Sequence, residues 1–121
     1  MANIVFNIFQ NSQDFLTFEP GQMIFKQGDR GDFMYAVLEG DVDIVVDDHV
    51  IDTISQGSIF GEMALIDDGP RSAGARVRTA CKVVPVTQRR FTFLVQQTPF
   101  FSIEVMRLMS ERMRKMLQAP R

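Results

Sequence analysis

The chain has no tryptophan, one tyrosine, one histidine and one cysteine in 121 residues. A single cysteine, Cys81, excludes an internal disulfide, and its place in the strand-like run TACKVVPV reads as a small buried hydrophobe in a reducing compartment. The lone histidine, His49, follows Asp47 and Asp48 at an expected hairpin tip and reads as a solvated turn residue. One His, one Cys and scattered carboxylates make no ligand set of metal-site type, which excludes the metal-dependent jelly-roll enzymes. No nucleophile–base pairing is visible either. Asp29, Asp32, Asp41, Asp43, Asp47 and Asp48 read as turn formers and an outward strand face, so neither enzymatic activity nor a cofactor is expected.

Long apolar runs are missing too. No segment approaches the roughly 18 apolar residues of a membrane span, and MANIVFNIFQNSQD has neither a basic leader nor an apolar signal core. No membrane contact is expected, and the expected location is cytoplasmic. A net charge of −2, with no basic stripe before the last helix, argues against a nucleic-acid backbone as partner. What is present is 45% hydrophobic residues, among them eleven Phe and eight Met. That supports one globular domain over residues 1–121, with an aromatic core softened by methionine.

Ile4, Phe6, Ile8 and Phe9 predict a short N-terminal helical turn, broken by Asn11, Ser12 and Asp14. Strand-length runs follow: FLTFE, QMIFKQ, FMYAVLEG, VDIVVDD, HVIDTIS, SAGARVRT and ACKVVPVT. Turn residues punctuate them, as at Pro20-Gly21, Gly28-Asp29-Arg30-Gly31-Asp32 and Gly40-Asp41. Many short strands at this spacing predict a sandwich or jelly-roll barrel over about residues 15–87. After Thr87 the period becomes helical: Phe91, Leu94 and Val95 give a short helix ended at Thr98-Pro99, and a second runs from about Phe100 to Gln118, before Pro120.

The stretch FGEMALIDDGPRSA, Phe60 to Ala73, interrupts the strands. It turns at Gly61, makes a short apolar helical turn (Met63, Ala64, Leu65, Ile66) and re-enters a strand through Pro70-Arg71-Ser72-Ala73. A glycine beside free backbone N–H groups forms a weak anion site, and an arginine aimed at the same spot makes it specific, because a guanidinium matches two phosphate oxygens. Glu62 would repel that phosphate unless it faced a hydroxyl, such as a ribose 2′-OH. Together they describe a nucleotide held by its sugar and phosphate.

This stretch resembles the phosphate-binding cassette of cyclic nucleotide-binding domains: Phe-Gly-Glu, apolar residues, then Pro-Arg and two small residues. EPGQMIFKQGDRGDFMYAVLEGDVDIVV resembles the family's first barrel half, so the resemblance covers nearly the whole chain. It implies a mainly β jelly-roll β-barrel (double-stranded β-helix) with a short N-terminal helix, a cassette helix and two C-terminal helices over about residues 88–118. It also implies backbone contacts from Gly61 and Ala73, ribose contact from Glu62, and phosphate contact from Arg71 and Ser72, in a cassette that includes Phe60, Met63 and Ala64. Where the family has Thr or Ser after the small pair this chain has Gly74, which predicts a bulge or a loosened wall. The catabolite activator of this family continues into a helix-turn-helix, and no such DNA-reading module is expected within residues 1–121.

In the last helix Met106, Met109, Met113 and Met116 step by 3, 4 and 3, beside a stripe of Phe101, Val105 and Leu108. One reading is a single broad core face; the other splits the arc between barrel packing and a two-fold homodimer. Arg112 falls inside the arc and must snorkel, pair with an acid or reach a ligand.

The expected function is a non-enzymatic regulatory module that binds cyclic AMP or cyclic GMP and signals by repositioning its C-terminal helices onto an unknown output protein. Ser72 could accept from the 2-amino group of a syn guanine, but a serine also accompanies cyclic AMP in this family, and cyclic AMP is the expected choice. The competing reading is a barrel without ligand that serves as an interaction or dimerisation scaffold.

Overall fold

The computed structural model describes residues 4–118. Helix α1 (Ile4–Phe9) precedes strands β1 (Leu16–Phe18), β2 (Met23–Phe25), β3 (Phe33–Glu39), β4 (Val42–Val46), β5 (His49–Ile54) and β6 (Ile59–Phe60). Helix α2 (Met63–Asp67) leads to β7 (Gly74–Val77) and β8 (Cys81–Thr87), and helices α3 (Gln88–Gln97) and α4 (Pro99–Gln118) follow. The side chains of Ile4 and Phe6, and Pro120 after α4, lie outside the described residues.

The strands form two four-stranded antiparallel sheets, in the orders β1-β8-β3-β6 and β2-β7-β4-β5. Alternation along the central strands divides the core in two. Tyr35 and Val37 of β3 and Cys81 and Val83 of β8 join Phe60, Val42, Ile54, Ala75 and Val77 in a layer between the sheets. The intervening Met34, Ala36, Val84 and Val86 pack instead with Phe9, Leu65, Leu94, Phe101 and Val105 from the helices. Because β3 and β8 bury both faces, their sequences read as almost continuous apolar runs. Pro85 sits inside β8 opposite Tyr35, where β8 has β3 as its neighbour and β1 has already ended at Val83, so its missing N–H breaks no ladder bond on that open side.

The β4–β5 hairpin turns at Asp47 and Asp48, both at positive φ (50° and 65°), which short carboxylate side chains tolerate. His49 is exposed as the first residue of β5, opposite Val46. Asp43 departs from the expected outward strand face. It is buried, accepts a 2.8 Å hydrogen bond from the Thr53 hydroxyl and lies 3.7 Å from Arg78, so neighbours on β5 and β7's exit cover it. Gly74 also differs from expectation. It pairs in register with Val45, and a Cβ there would lie 3.0 Å from Met23 and 3.2 Å from Val45, so the wall is tight. The irregularity lies beside it, between β2 and Ala75–Arg76.

Candidate functional site

The cassette leaves β6 at Gly61, whose φ of 80° is open to glycine and strained for other residues. A Cβ here would stand 2.6 Å from Nη1 of Arg71, so the glycine also makes room for the guanidinium. Arg71 is positioned by its backbone: its N–H donates to Asp29 and its carbonyl accepts from Gly28, each at 2.7 Å. This zips the cassette's second half onto the Gly28–Asp32 turn. Gly31 of that turn lies so close that a Cβ would meet Ala64 at 2.2 Å, which gives the Gly-Asp-Arg-Gly-Asp motif a structural purpose.

The Arg71 side chain is buried. Nη1 donates to the Gly61 carbonyl at 2.8 Å, Nη2 donates to the Phe33 carbonyl, and the guanidinium stacks 3.9 Å over the Phe25 ring. Burial pushes its pKa below the ordinary value, while Tyr35, Asp32, Glu62 and Asp29 oppose that shift. Burial likewise pushes the Tyr35 phenol up, with Arg71 pulling it back. The terminal nitrogens are thus already on protein carbonyls, and the buried Nε has no hydrogen-bond partner.

Glu62 is the N-cap residue of α2 but makes no side-chain cap, and its carboxylate turns toward α4. It is 4% exposed, and Arg112 donates to Oε1 at 2.7 Å while Oε2 is buried without a partner. Arg112 also donates to the Ile59 carbonyl and, at 3.4 Å, to the Ser58 hydroxyl. Of the three readings open for Arg112, pairing with an acid is the one realised. One turn further along, Lys115 meets Asp52 of β5 at 2.8 Å. Between β5 and α4 lies a cleft of about 240 Å³ lined by Asp52, Ile54, Ser58, Leu108, Arg112 and Lys115. Another concavity, about 420 Å³, lies between the Gly28–Asp32 turn and the far end of the cassette, and neither Glu62 nor Arg71 lines either of the two.

Phe60 and Ala64 are buried, Met63 and Ser72 are exposed, and Ala73 is half-buried. The structure therefore brings Gly61, Glu62, Arg71 and Arg112 together, while Met63 is half exposed on the outer side of α2. Sequence reasoning missed Asp52 and Lys115, which lie 63 residues apart. The one available signal is that Lys115 follows Arg112 by a single helical turn and so shares its face.

A family model described as the cyclic nucleotide-binding domain matches residues 15–98. The cAMP-dependent protein kinase regulatory subunit of Eremothecium gossypii is 46% identical over 61 residues, 50% of this chain and 13% of that protein. The cAMP-activated global transcriptional regulator CRP of Salmonella typhimurium is 29% identical over 99 residues, 77% of this chain and 46% of that protein. Among solved structures, cAMP-bound PfPKA-R matches with a TM-score of 0.74 at 27% identity, covering 86% of this chain and 36% of that one. The cGMP-bound form of the EAL enzyme Bd1971 matches with a TM-score of 0.65 at 31% identity, covering 86% and 29%. The chain spans less than half the length of each of these proteins. Among the described residues, no helix is long and apolar enough to cross a membrane.

Proposed function

The chain belongs to the cyclic nucleotide-binding domain family, and from that premise we propose that it is a non-enzymatic sensor that binds cyclic AMP or cyclic GMP between the cassette and α4. Arg71 takes the cyclic phosphate, Glu62 the ribose 2′-OH, and Gly61, Ser72 and Ala73 complete the phosphate contacts. Phe60, Met63 and Ala64 carry the cassette wall, and Arg112 keeps Glu62 aimed.

The observation that carries this reading is the pair of buried, unpartnered atoms, Glu62 Oε2 and Arg71 Nε. Leaving such atoms unsatisfied costs about 1–3 kcal/mol each. A ligand with a hydroxyl donor and an anionic acceptor satisfies both at once. Arg71 carries five N–H donors and spends two on Gly61 and Phe33, so it keeps donors for a phosphate without leaving its cradle. Arg112 neutralises Glu62 through Oε1 and leaves Oε2 for the sugar.

Output in this proposal runs through the C-terminal helices. Thr98, which ends α3 outside helical geometry, and Phe91 and Leu94, which pack in the core, form the hinge, localised by Pro99. The exposed Met106, Met113 and Met116 give α4 a face for a second copy or for the output protein. A scaffold without ligand is the second reading, favoured by one fact: both terminal nitrogens of Arg71 already sit on carbonyls.

Calorimetric titration with cyclic AMP, cyclic GMP and their 2′-deoxy forms separates the two. The sensor reading predicts that Glu62→Gln weakens ribose ligands and that 2′-deoxy ligands erase most of the difference between variant and parent. No heat with any nucleotide selects the scaffold, and an undiminished gap with deoxy ligands removes Glu62 from the ribose.

A further inference from the structure

We propose that the outward face of α4 docks an amphipathic helix of the output protein, one that carries carboxylates along its flank. The inference names the chemistry of a partner and rests on the surface of α4 alone, not on where the nucleotide binds. Met109 packs against the core, so the four methionines do not form one seam. The exposed residues that line up are instead Ile103, Met106, Ser110, Met113 and Leu117. They step by 3, 4, 3 and 4, the a/d spacing of a helix pair. At roughly 100° per residue they share about 80° of arc, on the side of α4 turned away from the buried Phe101 and Val105. So narrow an apolar stripe suits the seam of a helix pair better than the broad face of a helix lying in a membrane.

The flanks of the seam say which helix fits. With Ile103, Ser110 and Leu117 at a and Met106 and Met113 at d, Arg107 and Arg114 take both e positions, and Met109 and Met116 both g positions. Both arginines are exposed. Arg107 reaches Glu104 at 3.1 Å, while Arg114 makes no ion pair among the described residues. A second copy does not answer these charges. Parallel pairing sets each e arginine against a g methionine, and antiparallel pairing sets arginine against arginine. A partner helix with Glu or Asp at the facing positions places a carboxylate against each arginine, and that pairing also fixes its register. Ser110, small and central in the seam, leaves a hole for a large apolar side chain of the partner.

The test uses two synthetic three-heptad helices with leucine at a and d, one with glutamate and the other with lysine at every e and g position. Like charge keeps each from pairing with itself. Fluorescence anisotropy with the full chain, without nucleotide and at low salt, is expected to show the glutamate peptide binding about tenfold more tightly than the lysine peptide, with the gap closing near about 1 M salt. Arg107→Glu combined with Arg114→Glu is expected to invert the preference, and Met113→Asp to abolish binding of the glutamate peptide. All three substituted residues are exposed, so the fold is not at stake. Equal binding of the two peptides, binding of neither, or a preference unmoved by the double charge reversal overturns the proposal. A wild-type dimer in sedimentation that Met113→Asp dissociates gives the face to a second copy and overturns it as well. So does binding to phosphatidylglycerol vesicles that Met113→Asp abolishes, which gives the face to a membrane. Because no nucleotide is present, none of these outcomes bears on the binding of cyclic AMP or cyclic GMP.

Discussion

The two halves of α4 are held by different physics. The first half inserts Phe101, fully buried, and Val105 into the core beside Phe9 and Phe91, with edge-on ring contacts at 6.5 and 5.7 Å. The second half leaves Met113, Met116 and Leu117 exposed and is tied down by Arg112 and Lys115. Apolar burial is close-packed and resists displacement, whereas an ion pair can be exchanged for a ligand group of matching chemistry. One helix thus carries both an apolar anchor and a segment held by exchangeable ion pairs. The boundary falls between Met109, which packs against the core, and Arg112.

The largest expected effect is in the anchor: Phe101→Ala should cost about 3–5 kcal/mol of stability, read by chemical denaturation. A cost near zero would move the anchor elsewhere. Next comes the cassette. Arg71→Ala should weaken cyclic nucleotide binding by about 3 kcal/mol, because the phosphate loses a bidentate, charge-assisted partner. The structure adds a cost in stability of about 1–3 kcal/mol, since the carbonyls of Gly61 and Phe33 lose their donors. The sequence alone predicts an indifferent fold.

Truncation sharpens the boundary within α4. Removal from residue 104 onward takes Val105 out of the core, so the cleaner cut is after Ser110. That variant should stay folded by circular dichroism and bind nucleotide about 1–2 kcal/mol more weakly, because Glu62 loses Arg112, the α4 partner that aims it. Unfolding on truncation would show that the second half also anchors. The smallest effect is on the exposed face: Met116→Gln should change the stability of a monomer by less than about 0.5 kcal/mol. Sedimentation should detect a shift toward monomer if the methionine face joins two copies, and an unchanged distribution would assign that face to another partner.

Much of the fold was legible because its signals are local. Period-two alternation and turn residues locate the strands, and Pro99 separates α3 from α4 as the pattern requires. The cassette was legible for the same reason, since Gly61, Glu62 and Arg71 lie within eleven residues. What escaped depends on chain separation. Arg112 meets Glu62 across 50 positions and Lys115 meets Asp52 across 63, and no propensity encodes such a meeting. Asp43 looked solvated because aspartate usually is, and only the register of β4 against β5 places Thr53 over it. The capture of Arg71 by backbone carbonyls was equally hidden, because carbonyls belong to every residue.

The central claim is that the orphaned oxygen of Glu62 and the orphaned nitrogen of Arg71 await one ligand. It is tested most directly by calorimetric titration of the wild type and of Arg71→Lys with cyclic GMP, beside a thermal melt of each. The lysine keeps the charge but not the forked donors, so the account predicts measurable binding by the wild type and a loss of roughly a hundredfold in the variant, about 2.7 kcal/mol. Equal affinity of the two proteins, or no binding by a folded wild type, would contradict it.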